Sequence, residues 1–134
     1  MNKDLGIFSL FSIGFSAFGF LFGAIEYLFL ILITLMGIEF VSKSLSECVK
    51  DQFTIKSLFT RLAKKFVTLF LISVAHFFDQ LLQTDNSIRD FSIVFYILYE
   101  TFLIVSTAHA LGIPVPQIFL DIQEFVKNKL QRGP

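Results

Sequence analysis

Five ionisable residues stand inside otherwise apolar stretches of the chain: Glu39, His76, Asp79, Glu100 and His109. Imidazole and carboxylate groups are zinc ligands, proton carriers and ion-pair partners, so these positions are the first place to look for chemistry. His76 and Asp79 are three residues apart and share one face of a helix. Glu100 lies near the middle of its stretch beside Tyr96 and Tyr99, and Glu39 lies near the end of an earlier one. A zinc site built from His76, Asp79, Glu100 and His109 lacks an HExxH pattern or comparable ligand spacing, and Asp79 and His109 fall toward opposite faces of a membrane. No metal and no cofactor are expected. A proton or ion path through His76, Asp79 and Glu100 is the alternative. The preferred reading gives Glu100 and Glu39 interhelical hydrogen bonds or a place lining an assembly, and puts Asp79 at the outer interface, where charge is tolerated and where assembly is expected to be sensitive to it. No Ser/His/Asp arrangement or glycine-rich phosphate loop accompanies these residues, and the single Cys48 excludes an internal disulfide. The chain is not expected to be an enzyme.

The elements that must position these groups are long apolar runs. Of 134 residues, 54% are hydrophobic and only 16% charged, with mean hydropathy +0.73. Soluble domains carry about 25% charged residues. The runs cover 5–25, 27–42, 66–83 and 91–111, against the roughly 17–25 residues that a spanning helix needs. The pattern predicts an all-α polytopic membrane helix bundle occupying 1–134 as a single domain, with a loop at 43–65 and a tail at 112–134. Net charge is zero, which gives no reason to expect nucleic acid. The first run exceeds a signal-peptide core and has no good cleavage site, so it is read as a helix of the mature protein. If all four runs span, ten of the eleven Lys and Arg residues lie on one side, Arg89 being the exception. The positive-inside rule makes that side cytoplasmic, with both termini inside the cell membrane. Three spans, with the first run lying in the interface, is the alternative.

Within the 43–65 loop, "DQFTIKSLFTRLAKKFVTLFLI" reads as an amphipathic helix running into the third span. Phe59, Leu62 and Phe66 mark its apolar face; Lys56, Arg61, Lys64 and Lys65 mark a basic face suited to anionic lipid. "GIPVP" ends the fourth span near Leu111, because glycine terminates helices and prolines cannot continue them. Gly112, Pro114 and Pro116 therefore separate that span from an amphipathic tail helix, "QIFLDIQEFVKNKL", expected on the membrane surface or against the basic loop helix. The first run, "FSLFSIGFSAFGFLFG", carries small residues at Ser9, Ser12, Ser16, Gly19 and Gly23, spaced 3, 4, 3, 4, beside a phenylalanine stripe. Helices in lipid associate through such small-residue faces, so this one is read as a packing face, either within the chain or between copies.

From about residue 25 onward the chain resembles the small bacteriophage lysis and toxin-secretion holins. "LITLMGIEFVSKSL" resembles that family's apolar segment ending in an acid and an aromatic, with Glu39 in the place usually held by aspartate and Lys43 in that of a glycine. "SLFTRLAKKFVTLFLISVAHFFDQLL" resembles its paired-lysine stretch at Lys64 and Lys65, followed by Ala75 and Asp79. "IRDFSIVFYILYE" is similar at Arg89, Phe95, Tyr96 and Glu100, and "LGIPVPQIF" at Gly112, Pro114 and Pro116. The chain departs at Leu103, Ser106 and Thr107, where the family commonly shows a serine and a Glu-Asn pair. The resemblance implies a homo-oligomer that permeabilises the cytoplasmic membrane for a cell-wall hydrolase or toxin. A small ion channel or transporter, and a non-lytic scaffold for a soluble partner, are the other classes the residues leave open.

Overall fold

In a computed structural model the described residues form five helices: α1 (Asn2–Phe22), α2 (Tyr27–Val49), α3 (Ile55–Leu82), α4 (Ser87–Ala110) and α5 (Gln117–Gln131). The structure describes residues 2–23 and 26–131, apart from the side chains at 126 and 130. The last residues of the first apolar run, Val126 on the tail's expected apolar face and the tail base Arg132 lie outside that set. Among the described residues there is no strand.

The helix ends follow local chemistry. Thr54 caps α3, its hydroxyl accepting the Ser57 N–H at 3.1 Å. At the end of α4, Gly112 takes a left-handed conformation (φ 78°). Its N–H donates to the His109 carbonyl and that of Ile113 to the Ala108 carbonyl, both at 3.0 Å. This paired closure is a Schellman motif. Pro114 and Pro116 follow, and α5 begins at Gln117. The chain thus stops and restarts where "GIPVP" predicts.

Three helices, α1, α2 and α4, are long and apolar enough to cross a membrane by length and composition. α3 is not in that set, so the four-span expectation is met for three helices. α2 and α3 also continue beyond the apolar runs that form their cores. The stretch 43–65 is largely helical, with only a short turn between Val49 and Ile55.

α2 packs chiefly on α4, and α4 on α3. The centre of this three-helix unit is apolar: Phe29, Leu32, Met36, Ile72 and Ile93 are buried in it. α1 joins at its C-terminal end. Phe18 and Phe22 stack on Phe29 with ring centroids 5.2 and 5.0 Å away, and Phe20 meets Phe77 at 5.6 Å. The rest of α1 is uncovered. Among the described residues no side chain of α5 is buried, and α5 makes no close packing with α3.

Candidate functional site: two buried charge clusters

The polar residues of the runs collect at two levels on either side of that apolar centre. The first level is where α1 ends and α4 begins. Asp79 of α3 is only 3% exposed. One carboxylate oxygen accepts the Arg89 N–H at 2.7 Å; the other accepts the Ile88 N–H at 2.9 Å and the Thr84 hydroxyl. Those amides are two of the orphan donors in the first turn of α4. Asn86, the residue at the cap position, is left-handed (φ 65°) and makes no side-chain cap bond. Asp79 therefore caps α4 from the neighbouring helix. It is buried among protein atoms there, because the 83–86 turn folds α4 directly over it.

Arg89 is fully buried at the same level. Its Nη1 donates to the Phe22 carbonyl at 3.1 Å. Nη2 stands 3.2 Å from Glu26 Oε2 and 3.5 Å from Asp90 Oδ1. The guanidinium thus sits on the C-terminal end of α1, where the helix dipole and unpaired carbonyls favour a cation. Gly23 makes this contact possible. It is left-handed (φ 79°), and a Cβ there would lie 2.7 Å from Arg89 Nη1 and 2.9 Å from His76 Cε1. Gly23 consequently leaves the small-residue stripe to which its spacing assigned it: it terminates α1 and lies under the guanidinium. His76 is buried beside it, with its ring centroid 5.9 Å from that of Phe77.

The second level is deeper along α4, roughly 16 Å from Arg89 at 1.5 Å per residue. Lys65 Nζ lies 2.6 Å from Glu39 Oε2 and 2.5 Å from Glu100 Oε2. Both carboxylates are almost completely buried, so one ammonium serves two acids in the interior. A lone buried carboxylate would be costly, and the shared lysine offsets much of that cost. One helical turn away Arg61 fastens α3 to α2. Nη1 donates to the Phe40 carbonyl at 3.2 Å; Nη2 donates to Ser44 Oγ at 3.1 Å and lies 3.4 Å from Glu47 Oε2. Ser57 Oγ adds a bond to Glu47 Oε1 at 2.9 Å.

These contacts reverse the expected faces of the basic helix. Arg61 and Lys65 point inward, whereas Phe59, Leu62 and Phe66 are 65%, 39% and 51% exposed. Of the four bases, Lys56 and Lys64 remain on the surface. In a helix facing lipid the apolar side turns outward and the charged side pairs inside, the inverse of a water-facing helix.

The remaining sequence candidates are dispersed. Ser9, Ser12 and Ser16 are exposed on α1 and Gly19 is half-buried with open space where a Cβ would stand. Glu100 and Asp79 occupy different levels, and His109 borders a separate space of about 270 Å³ between α4 and α5. Among the described residues no three His, Cys, Asp or Glu side chains are grouped to hold a metal. Arg89, noted in the sequence for its charge placement and its family resemblance, has no site role there. Its signal was its position as the one base in the connection at 84–90, flanked by acids.

Residues 16–128 match the bacteriophage holin family. The chain belongs to that family. Curated relatives fit the assignment. An uncharacterized Bacillus subtilis protein, YtkC, is 56% identical over 134 residues, the whole of both chains. Uncharacterized proteins of Listeria monocytogenes and Listeria innocua are each 32% identical over 111 residues, which is 82% of this chain and 79% of theirs. No solved structure matches. The match takes in Glu39, Lys65, Asp79, Arg89 and Glu100, so both charge clusters lie inside the holin-family region. This holin-family chain is a membrane protein, and its family is not one of enzymes.

Proposed function

We propose that this protein permeabilises the cytoplasmic membrane as a homo-oligomer, letting a cell-wall hydrolase or a toxin cross. In this reading α3 is the fourth span, both termini are cytoplasmic, and the Arg89 level lies toward the outside. Family membership supports the reading, and α1 carries it. α1 is a 21-residue helix of high apolarity held at one end, and Ser9, Ser12 and Ser16 lie exposed among the described residues. A small-residue face of that kind lets a second backbone approach closely in lipid. The test is inducible expression in a bacterium with a membrane-potential dye. Depolarisation after a delay is expected, followed by lysis when a hydrolase is co-expressed. Undisturbed potential and growth at high expression, with insertion verified, would refute it.

The Lys65–Glu39–Glu100 cluster favours a second reading as a small ion channel. A vesicle assay separates the two: uptake of a defined ion without release of an enclosed folded protein selects the channel.

A further inference from the structure

A polar cavity and an apolar crevice adjoin at Lys65. The cavity, about 220 Å³, is bordered by Glu39, Lys43, Arg61, Lys64, Lys65 and Glu100. The crevice, about 270 Å³, runs between α2 and α3 past Phe40, Gly37, Ile33, Phe66 and Leu69. Lys65 borders both. We propose that together they bind one anionic glycerophospholipid, with its phosphodiester in the cavity and one acyl chain in the crevice.

Charge accounts for the head. Lys65 is taken up by Glu39 and Glu100, and Arg61 by Glu47. Lys43 and Lys64 have no ion pair among the described residues, and both border the cavity. Lys43 and Lys64 outweigh the one acid that Lys65 leaves unneutralised between Glu39 and Glu100, so the lining keeps a net charge of +1, which fits a monoanionic phosphodiester that lysine binds as a point charge. Direction accounts for the tail. Lys43 is the first base after the apolar run of α2, at the level where headgroups meet hydrocarbon. From there Phe40, Gly37 and Ile33 descend roughly 15 Å along the helix. That is half of the ~30 Å hydrocarbon core, the depth of one leaflet. The crevice is open at Gly37, where a Cβ would meet nothing within 4 Å. The Lys65 stem lines its wall while its ammonium stays in the polar cavity, as long basic side chains do at interfaces.

The proposal rests on the membrane placement given above and not on permeabilisation. A chain that binds the lipid without depolarising cells would sink the holin reading and leave this one standing.

The experiment is mass spectrometry of the intact full-length protein from mild detergent, titrated with phosphatidylglycerol or phosphatidylcholine of equal chain length. Selective retention of one phosphatidylglycerol is expected. Lys43→Gln with Lys64→Gln should weaken it about 30-fold, at roughly one lysine's surface attraction each. Lys56→Gln with Lys127→Gln, which removes two exposed charges elsewhere, should leave it within about twofold of wild type. Gly37→Leu should weaken it by blocking the crevice while leaving inorganic phosphate without effect on binding. Equal retention of both lipids, or equal loss in the two lysine pairs, overturns the proposal. So does competition by inorganic phosphate together with indifference to Gly37→Leu, which would make the cavity a site for soluble phosphate. Helicity of each variant, checked by circular dichroism, keeps a folding failure from passing as lost binding.

Discussion

At the scale of single residues the two clusters respond differently to substitution. Lys65 sits between Glu39 and Glu100, so replacing either acid with glutamine leaves a one-to-one ion pair. Each single change is expected to be mild, and the double Glu39→Gln/Glu100→Gln, which strands a part-buried ammonium, to cost about 1–3 kcal/mol. Unfolding in detergent, followed by helicity, measures this; additive effects of the two singles would show that the lysine is not shared. Asp79 has no second group to take its place. Asp79→Ala removes the acceptor of two first-turn amides of α4 and is expected to cost about 2 kcal/mol or more. The same unfolding measurement tests it, and a loss below about 0.5 kcal/mol would mean that the cap is supplied by water or by Asn86.

At the scale of elements, helix identity and the stop at Gly112 were legible from apolar run length and turn chemistry. Which way a helix faces was not. Spacing placed Arg61 and Lys65 on one face and Phe59, Leu62 and Phe66 on another, but only the surrounding solvent decides which face turns in. Partners distant in sequence were also hidden: nothing local links Lys65 to Glu100, or Arg89 to the Phe22 carbonyl. Gly23 misled because its spacing continued a helical stripe that its own left-handed conformation ends. α1 now permits a sharper test than its sequence did. Ser16→Leu with Gly19→Leu adds bulk to an uncovered face and should abolish detergent-resistant oligomers while leaving monomer helicity unchanged. The matched control is Phe11→Leu with Phe15→Leu, both on exposed positions; Phe18 is unsuitable because it packs on Phe22 and Phe29. Oligomers that survive the first pair and not the second would assign assembly to the phenylalanines.

At the scale of the whole molecule, a thin apolar centre with charge on both sides of it suits a body whose outer surface is solvated by lipid. Large apolar side chains such as Phe70, Leu81 and Phe91 lie 60%, 77% and 75% exposed, a surface that water would not tolerate as a monomer. The proposed orientation predicts that Cys48, which is exposed, reacts with a thiol reagent only after that reagent enters the cytoplasm. A cysteine introduced at Ser87 in a Cys48→Ser background should react from outside. The reverse pattern would invert the topology. The attachment of α1 at a single end also constrains the symmetry of any assembly. A face that meets its own copy on another chain is two-fold and is exhausted by one partner, so α1 alone closes a pair. Growth beyond a pair needs a second, different contact, two-fold or head to tail, for which the α2–α4 body offers the surface. A substitution on that body that arrests assembly at the dimer would therefore identify the surface that carries growth beyond the pair.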